Sequence, residues 1–491
     1  MTKILNNDTL GSLPSSVSVP RYDRGAITPG ILHIGVGNFH RAHQGVYLDR
    51  LFNKGLSHDW GIIGAGIMQY DAAKRELLSR QDWLSTVIEL DPRGYTARVC
   101  GSMIDFAEIS SQALVRAMMT EEIRIVSLTI TEGGYYIDPE TGGFNANHPD
   151  IRSDAANGGE PGTVFGAIVT ALKIRQSAGM PGFTVMSSDN LPHNGDVTRR
   201  AVLGMAELIA PELSGWIEEN VTFPNGMVDC ITPATGDRER AMVEEKFGID
   251  DPGIVVCEPF RQWILEDNFC QGRPALEEVG VEFVQDVSPY ELMKLRILNG
   301  GHAAIAYPSA LLGVHYAHDA MGTPLVQAFL ERLETEEIIP TVPPVPGVDF
   351  NQYLDKTQER FSNAEIGDTI PRLCLDGSNR QPKFILPTIA DRLEQGLPVN
   401  GLALEVALWC RYCAGTDDSG KPLSVDDEKA ERLQKNAQLA RSEPKAFLGM
   451  SDIFGNMGSN EAFVSQFSDA LGSLWENGTE ATLQSYVSKV A

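Results

Sequence analysis

The segment with the most reactive side chains is Lys294-Leu-Arg-Ile-Leu-Asn-Gly-Gly-His302, which holds an amine, an amide and an imidazole within little more than two helical turns. On a regular α-helix, Asn299 lies about 140° and His302 about 80° around the axis from Lys294, so the three can lean into one cleft. The Gly pair lets a ligand or another backbone approach closely. An amine that loses its charge through burial can act as a general base, and an amide can donate to an oxyanion. We therefore interpret this helix as part of an active site.

A second chemically informative segment, residues 34–43, carries a strand that ends in Gly-x-Gly and passes at once into a helical pattern. Two glycines in this setting allow a tight turn and close approach to a pyrophosphate. A plain turn is the alternative, because the third glycine of the usual fingerprint is missing and His40 to Ala42 stand in its place. Helix and strand must then pack differently. The predicted cofactor contacts in this turn are Gly35, Val36, Gly37, Asn38 and Phe39.

An acid after the next strand indicates which dinucleotide binds. The strand-like run Gly61–Ile67 leads to Asp71, which can accept hydrogen bonds from an adenosine ribose and repel a 2′-phosphate. This favours NAD over NADP. Asp71 lies farther from Gly35 than the usual spacing of about 20 residues, so the intervening helix must be long. A further strand end, residues 187–194, supplies another candidate ligand site.

Moving a hydride between an alcohol and nicotinamide needs a base for the hydroxyl proton and donors for the oxyanion. Lys294 can be that base. Glu291 lies three residues earlier, on the same helix side, where it either relays the proton to water or pairs with the amine. Tyr290 and Lys294 also form the Tyr-x-x-x-Lys pair of short-chain dehydrogenases, but the longer glycine spacing of that family is absent. We expect Lys294, not Tyr290, to be essential.

No metal site is expected from the Cys and His residues. His40 and His43 stand at ligand spacing without a third ligand nearby, which favours structural or cofactor-facing roles. Cys410 and Cys413 continue an apolar helical run and have no second pair, so we predict that they are buried helix cysteines.

Composition and charge restrict the partners. The 491 residues include 40 Lys and Arg against 66 Asp and Glu, a formal net charge of -26, which disfavours nucleic acid and anionic membranes. Residues 1–16 lack the apolar core of a secretion signal, and the seven Cys do not follow a disulfide pattern. We expect a cytoplasmic protein.

The pattern of apolar residues predicts two domains. Strand and helix patterns alternate from about Ile31 to Asp286, which predicts a Rossmann-like, mostly parallel α/β sheet in residues 1–287. Helical periodicity dominates residues 288–491, which we predict to be the mainly α-helical catalytic and substrate domain. Pro340–Gly347 is expected to be a rigid surface loop. The clearest predicted strands are 31–36, 60–65, 123–130 and 183–186, and the clearest predicted helices are 163–177, 196–209, 325–333, 402–412, 427–441 and 481–490.

Taken together, six motifs make the chain resemble the long-chain, zinc-independent polyol dehydrogenases over nearly its whole length. These motifs are residues 35–43, 129–134, 188–194, 223–229, 257–260 and 294–302. The resemblance implies Lys294 as the base, Asn190 and Asn299 as oxyanion donors, His302 as a ligand of a substrate hydroxyl, and Asp189 at the cofactor. It also implies that Arg372, Arg380 and Lys383 contact the polyol. The residues alone would instead predict that this basic segment is a solvated loop.

Within that family pattern, Glu291 and, less directly, Asp229 match carboxylates of the proton path. The pattern usually continues after Asp229 with Arg, whereas this chain has Cys230. The group that would pair with an arginine at this position must therefore be arranged differently in this chain.

The resemblance predicts an NAD-dependent, metal-independent oxidation of D-mannitol at C2 to D-fructose, reversible with NADH, by a protein that is a monomer. A hexuronate reductase acting on fructuronate or tagaturonate is the first alternative, because a carboxylate would also pair with Arg372 and Arg380. An arabinitol or sorbitol dehydrogenase is another. A non-catalytic NAD-binding sensor is the alternative from a different class, although a sensor has no need of Lys294, Asn299 and His302.

Overall fold

Five short apolar strands in the first part of the chain form a parallel sheet. Their order across the sheet is Met103–Phe106, Gly61–Ala65, Pro29–Ile34, Ile125–Leu128 and Thr184–Ser187. Pro29–Ile34 is the first of these strands along the chain and lies in the middle. The chain runs outward to one side of it and then to the other, which creates a crevice at the carboxyl ends of the central strands.

The computed structural model describes residues 3–138, 141–157 and 160–488. It divides into one unit that ends at Ser288 and a second that begins at Pro289. Within the described ranges, none of the helices has both the length and the apolar character needed to cross a membrane.

Both faces of the parallel sheet are buried, as the continuous apolar strands require. Leu32 and Ile34 belong to one apolar cluster, whereas Ile31 and Ile125 belong to the cluster on the opposite face. This alternation follows from the two-residue period of a strand. The α-helices of this unit, apart from one that begins at its end, are Asn38–Ala42, Gln44–Asn53, Gln69–Ser79, Ser111–Met118, Pro149–Ala156, Val164–Ser177, Asn194–Ile209, Ser214–Asn220 and Asp237–Phe247.

Three smaller sheets complete the first unit. In one, Gln262–Glu266 pairs antiparallel with Gly226–Asp229 and parallel with Glu282–Val284. The second orders Val255–Cys257, Ser85–Glu89, Thr96–Cys100 and Val17–Ser18, and the third pairs Lys3–Ile4 with Ile249–Asp250. The prediction of a mostly parallel sheet is therefore confirmed for the central sheet, while the mixed sheets beside it were not predicted.

The second unit is helical, and its described residues contain no strand beyond isolated bridges. Its apolar core packs around the buried helix Asn400–Cys413. The other helices are Ser288–Met293, Gly300–Leu311, Ala317–Met321, Pro324–Leu333, Phe350–Phe361, Ile370–Leu373, Gly377–Phe384, Leu386–Glu394, Ala430–Ala440, Lys445–Leu448, Ser451–Phe454 and Glu461–Ser488, with π-helices at Lys294–Asn299 and Glu334–Ile338.

The predicted elements agree with these bounds to within a few residues. The predicted helix 481–490 forms the end of Glu461–Ser488, and its last two residues lie outside the described part of the chain. Cys410 and Cys413 are buried on the helix Asn400–Cys413, as predicted. The segment after Thr341 is a loop with exposed prolines, held by two buried side chains, Val342 and Val345.

Candidate functional site

A cavity of about 490 Å³ opens at the carboxyl ends of the central strands of the first unit. It lies where dinucleotide-binding sheets bind their ligand, at the point where the strand order reverses. Four chain segments line it: Ile34, Gly35, Val36 and Gly37; Ile67, Met68, Tyr70, Asp71 and Lys74; Thr129, Ile130, Thr131, Gly133, Gly134 and Tyr136; and Gly162, Thr163 and Val164.

Gly35 is the residue on which the turn depends. Its φ of +97° is in the left-handed region, and a Cβ there would lie 2.1 Å from the carbonyl oxygen of Thr129. The Gly35 carbonyl accepts hydrogen bonds from Gly37 N (2.7 Å) and Thr129 Oγ1 (2.6 Å). The backbone of the turn is therefore fixed against the neighbouring strand, and only glycine fits.

Gly37 leaves the floor of the cavity open. A Cβ at Gly37 would meet nothing closer than the Gly35 carbonyl oxygen, at 3.8 Å. The open backbone, together with the volume of the cavity, fits the pyrophosphate and adenosine of a dinucleotide. Gly35, Val36 and Gly37 line the cavity, whereas Asn38 and Phe39 are not among its lining residues. Asn38 Oδ1 accepts from Arg41 Nη2, and Phe39 stacks on His43.

Two histidines occupy the place where the third glycine is missing. The rings of His33, on the central strand, and His40, on the following helix, stack with centroids 3.4 Å apart and an interplanar angle of 13°. Burial lowers the pKa of His33 to about 3 and holds the pKa of His40 well below its usual value. Strand and helix are thus joined by two flat, uncharged rings, which is the different packing that the sequence required.

Asp71 lines the cavity, but its carboxylate accepts hydrogen bonds from the backbone. Its Oδ2 accepts hydrogen bonds from Ile67 N (3.1 Å) and Met68 N (3.0 Å), which holds the loop after the second strand. Burial raises the pKa of the Asp71 carboxyl. The long spacing from Gly35 is taken up by two helices, Asn38–Ala42 and Gln44–Asn53, rather than by one long helix.

Asp189 holds the opposite wall of the cavity. Its carboxylate accepts from the backbone N–H groups of Ile130 and Thr131 and from the Tyr135 hydroxyl, at 2.7–3.0 Å. These three bonds fix the loop that contributes Thr129 to Gly134 to the lining. Asp189 itself is not among the lining residues, and its contact with the cofactor stays a prediction. Asn190, the next residue, is exposed.

The Lys294 segment differs from the prediction. The α-helix Ser288–Met293 continues as a π-helix over Lys294–Asn299 before α geometry returns at Gly300. The Gly300 N–H donates to the Leu295 carbonyl, five residues earlier, which defines a π-turn. The expectation of a regular α-helix through His302 is therefore wrong, and the angles calculated for it do not apply. Short π segments inside α-helices occur frequently at functional sites.

Several predicted residues of the second unit surround one imidazole. His302 is half-buried and stacks on Phe361, with ring centroids 4.1 Å apart. Burial holds the pKa of His302 well below its usual value, and the charges of Arg372, Arg360, Arg380 and Lys294 lower it further. The ring is therefore neutral at pH 7, so one nitrogen can accept a hydrogen bond from a hydroxyl and the other can donate.

Lys294 and Glu291 are both buried, with exposed fractions of 8% and 6%. Asn299, at the end of the π-helix, is half-buried. Tyr290, the alternative base, is also buried, at 3% exposure.

The basic residues beyond Thr369 lie on helices, so the loop expected from the residues alone is wrong. Arg372, on Ile370–Leu373, is exposed and binds Asp368 through two guanidinium nitrogens. Arg380, on Gly377–Phe384, donates to the carbonyls of Arg372 (3.4 Å) and Leu373 (3.1 Å). Lys383 is exposed on the same helix. Thr369 caps the first helix by accepting from the backbone N–H of Arg372.

Cys230 belongs to a buried cluster that also contains Cys257 and Arg261. A hydrogen bond between the Cys230 and Cys257 thiols raises the pKa of Cys230 and lowers that of Cys257. Arg261 Nη2 donates to Cys257 Sγ at 3.2 Å, and Arg261 Nη1 lies 2.7 Å from Glu89. Asp229, the residue before Cys230, is buried. Across the described ranges, no three or more His, Cys, Asp or Glu side chains form a group that could hold a metal ion.

Sequence reasoning missed several residues of the two sites. Lys74, Tyr136 and Thr163 line the cavity, and the charge of the buried Arg360 lowers the pKa of His302. Thr163 caps the helix Val164–Ser177 by accepting from Gly166 N, and the pattern Thr-x-x-Gly before an apolar helix was a usable signal for it. No local signal distinguishes Lys74 or Arg360 from other basic residues on helices.

The strand order, the Gly-x-Gly turn and the cavity above it define a dinucleotide-binding protein of the Rossmann class. The family model of the mannitol dehydrogenase Rossmann domain matches residues 29–278, and that of the mannitol dehydrogenase C-terminal domain matches residues 286–475. The chain belongs to the mannitol dehydrogenase family, which confirms the resemblance seen in its motifs.

Known relatives extend over the whole chain. A mannitol 2-dehydrogenase of Cereibacter sphaeroides is 55% identical over 96% of this chain and 99% of its own length. A ternary complex of Pseudomonas fluorescens mannitol 2-dehydrogenase with NAD and D-mannitol is 44% identical, with a TM-score of 0.90 over 99% of this chain and 100% of that one. A D-sorbitol dehydrogenase in substrate-free form is 34% identical, with a TM-score of 0.89 over 98% and 100%.

Proposed function

We propose that this protein is an NAD-dependent polyol dehydrogenase that oxidises D-mannitol at C2 to D-fructose and catalyses the reverse reaction with NADH. The observation that carries the proposal is the similarity, over whole chain lengths, to mannitol 2-dehydrogenases, one of which is described in complex with NAD and D-mannitol. The cavity at the Gly-x-Gly turn and the buried Lys294 supply the two functions that such a reaction needs.

In this proposal, residues 1–287 form the NAD-binding domain. Gly35, Val36 and Gly37 bind the pyrophosphate, Asp71 lies at the adenosine ribose, and Asn38, Phe39 and Asp189 complete the cofactor site. When bound, NAD supplies the acceptor for the hydride that leaves C2. The fixed backbone at Gly35 and the open backbone at Gly37 hold this site before any ligand arrives, which reduces the cost of ordering it.

The proton chemistry is proposed to be carried out mainly by residues 288–491, with Asn190 and Asp229 of the NAD-binding domain contributing. Lys294 takes the proton of the C2 hydroxyl as the general base. Asn190 and Asn299 donate to the oxygen as negative charge develops on it. Glu291 then carries the proton from Lys294 towards water, with Asp229 as a further carboxylate on that path.

The remaining hydroxyls of the substrate are proposed to bind His302, Arg372 and Arg380. A neutral imidazole suits a hydroxyl, because it can donate and accept at once. An apolar alcohol would leave these polar groups unpaired, which costs binding energy and favours a polyol.

The proposal is tested with the variants Lys294→Ala and Tyr290→Phe, followed by NADH absorbance with D-mannitol. Loss of the base should lower kcat by roughly a hundredfold to ten-thousandfold. Tyr290→Phe should keep most of the activity, because the Tyr290 hydroxyl has no role in proton transfer. Near-normal turnover by Lys294→Ala, together with an inactive Tyr290→Phe, would instead identify the tyrosine as the base. NAD binding by both variants, measured by calorimetry, controls for folding.

Metal independence is tested by the same assay in EDTA, which should leave turnover unchanged. Activity that disappears with EDTA and returns with zinc would contradict a lysine base acting without a metal.

D-Sorbitol is a second candidate substrate, because a D-sorbitol dehydrogenase shares the fold over the whole chain. We expect kcat/KM for D-mannitol to exceed those for D-sorbitol and arabinitol. In the direction of reduction, D-fructose should be preferred over fructuronate; the opposite preference would reassign the protein to hexuronate reduction.

We also propose a monomeric, cytoplasmic protein that does not bind nucleic acid. The net charge of -26 supports the last point, since it repels phosphate backbones. Light scattering after size exclusion, at several concentrations, should give one mass near 53.6 kDa; a dimer mass would refute the monomer.

A further inference from the structure

Lys74 brings a positive charge into the adenosine end of the cavity. It lies on the helix Gln69–Ser79, three residues after Asp71, and both side chains line the cavity. The side chain is half-buried, and among the described residues its amine forms no hydrogen bond or ion pair. Burial lowers the pKa of Lys74 to about 8, with the charge of Arg41 lowering it and that of Asp251 raising it.

An anionic ligand would strongly stabilise the charged form of an amine in this position. Arg41 is committed to the turn, through Gly37 O and Asn38 Oδ1, and is not among the residues that line the cavity. Asp251 is buried and accepts from the backbone of Thr86 and Gly253. The protein therefore offers Lys74 no close partner of its own, and a phosphate group in the cavity would supply one.

The position of Lys74 indicates which phosphate. The loop after the second strand of a dinucleotide-binding sheet contacts the adenosine ribose, whereas the pyrophosphate lies over the Gly-x-Gly turn of the first strand. Lys74 follows that second-strand loop. Asp71, which would repel a group at the ribose 2′ position, directs Oδ2 to two backbone N–H groups instead.

We propose that Lys74 binds the 2′-phosphate of NADP(H), so that the protein uses NADP as a second cofactor, less efficiently than NAD. The proposal rests on the proposed polyol oxidation, and the reaction balances in the same way. D-Mannitol loses a hydride from C2 and a proton from its hydroxyl, and NADP⁺ becomes NADPH. The remaining charge of Asp71 keeps NAD the better cofactor.

The first test measures binding without turnover. Calorimetry compares 2′,5′-ADP, which carries the 2′-phosphate, with 5′-AMP, which lacks it. Lys74→Met should weaken 2′,5′-ADP binding by roughly tenfold to a hundredfold, as expected for one charge-assisted hydrogen bond. Binding of 5′-AMP should stay within about threefold, the change expected when no direct contact is lost. Lys74→Arg should retain most of the affinity for 2′,5′-ADP.

Arg80→Met is the matched control. It removes one positive charge at the residue that ends the same helix, but Arg80 is exposed, pairs with Glu76 and does not line the cavity. It should leave the binding of both nucleotides unchanged, which separates a contact at Lys74 from a general effect of charge.

Two outcomes of the binding test overturn the proposal. Equal weakening of both nucleotides by Lys74→Met would show that the amine serves a part of the ligand that they share. Wild-type protein that does not bind 2′,5′-ADP at millimolar concentration would show that no 2′-phosphate site exists.

The second test measures kcat/KM for NAD and NADP with D-mannitol. We expect measurable NADP turnover, and Lys74→Met should lower kcat/KM for NADP by a much larger factor than kcat/KM for NAD. Turnover with NAD but none with saturating NADP refutes this inference alone. Absence of turnover with NAD refutes the proposed function, and the binding test then still decides whether Lys74 recognises a 2′-phosphate.

Discussion

Gly35→Ala tests whether the nucleotide turn is fixed by the fold rather than by its ligand. An alanine at a φ of +97° costs about 1–2 kcal/mol. The new Cβ would also lie 2.1 Å from the Thr129 carbonyl oxygen, so the turn must shift. A shift weakens the bonds that the Gly35 carbonyl accepts from Gly37 and Thr129, each worth about 0.5–1.5 kcal/mol. The sum predicts a loss of about 2–4 kcal/mol in the free energy of unfolding.

The assay is thermal unfolding without nucleotide, so that ligand binding does not add to the measured stability. At about 2–4 °C per kcal/mol for a domain of this size, the midpoint of the first unit should fall by roughly 4–16 °C. Gly37→Ala is the control, because its Cβ would have no contact closer than 3.8 Å. It should unfold like wild type but bind NAD at least tenfold more weakly, because the methyl group occupies the open floor of the cavity. Wild-type stability in Gly35→Ala, or wild-type affinity in Gly37→Ala, would refute this account of the turn.

Three further predictions concern ionisable side chains, two of them buried and one exposed. Burial raises the pKa of Glu405 to about 8, so its contribution to stability is present below pH 4.5 and is lost as the pH rises towards 8. The free energy of unfolding, measured with urea, should therefore fall between pH 4.5 and 7 in the wild type by up to roughly 3 kcal/mol more than in Glu405→Gln. Burial lowers the pKa of His33 to about 3, which acts in the opposite direction: His33 alone should reduce the free energy of unfolding by roughly 1.4 kcal/mol between pH 7.5 and 5.5, and the total loss over this range should be smaller by that amount in His33→Gln. Cys270 is the one exposed cysteine of the seven, so a thiol reagent should label one group rapidly, and none in Cys270→Ser.

The central sheet could be predicted from the sequence because its strands are short apolar runs between turn residues. Ile31 to Ile34 and Ile125 to Leu128 have no other stable environment than a sheet covered on both faces. The smaller mixed sheets were not predicted, since a strand such as Gln262–Glu266 carries polar ends that do not show which neighbour it will pair with. Pairing between distant segments depends on tertiary packing, and the local sequence pattern does not show which strands will pair.

The π-turn at Lys294–Asn299 was not predictable for a different reason. Moving one hydrogen bond from the fourth to the fifth residue leaves the composition of a helix unchanged, so the spacing of Leu295, Ile297 and Leu298 fits an α-helix equally well. Of the reactive side chains predicted on this helix, Lys294 contributes a charge that lowers the pKa of His302. The catalytic roles of these side chains stay predictions.

Two departures from the usual pattern are offset by residues elsewhere in the chain, which explains how the fold tolerates them. Where the fingerprint lacks a third glycine, His33 and His40 stack at 3.4 Å, and flat rings allow the close approach that glycine would otherwise provide. At position 230, where the resemblance led us to expect arginine, the chain has cysteine; Arg261 donates to the neighbouring Cys257 thiol, and its charge lowers the pKa of Cys230. Cys230→Arg should lower the free energy of unfolding, measured by urea unfolding, because two guanidinium groups would then share one buried cluster.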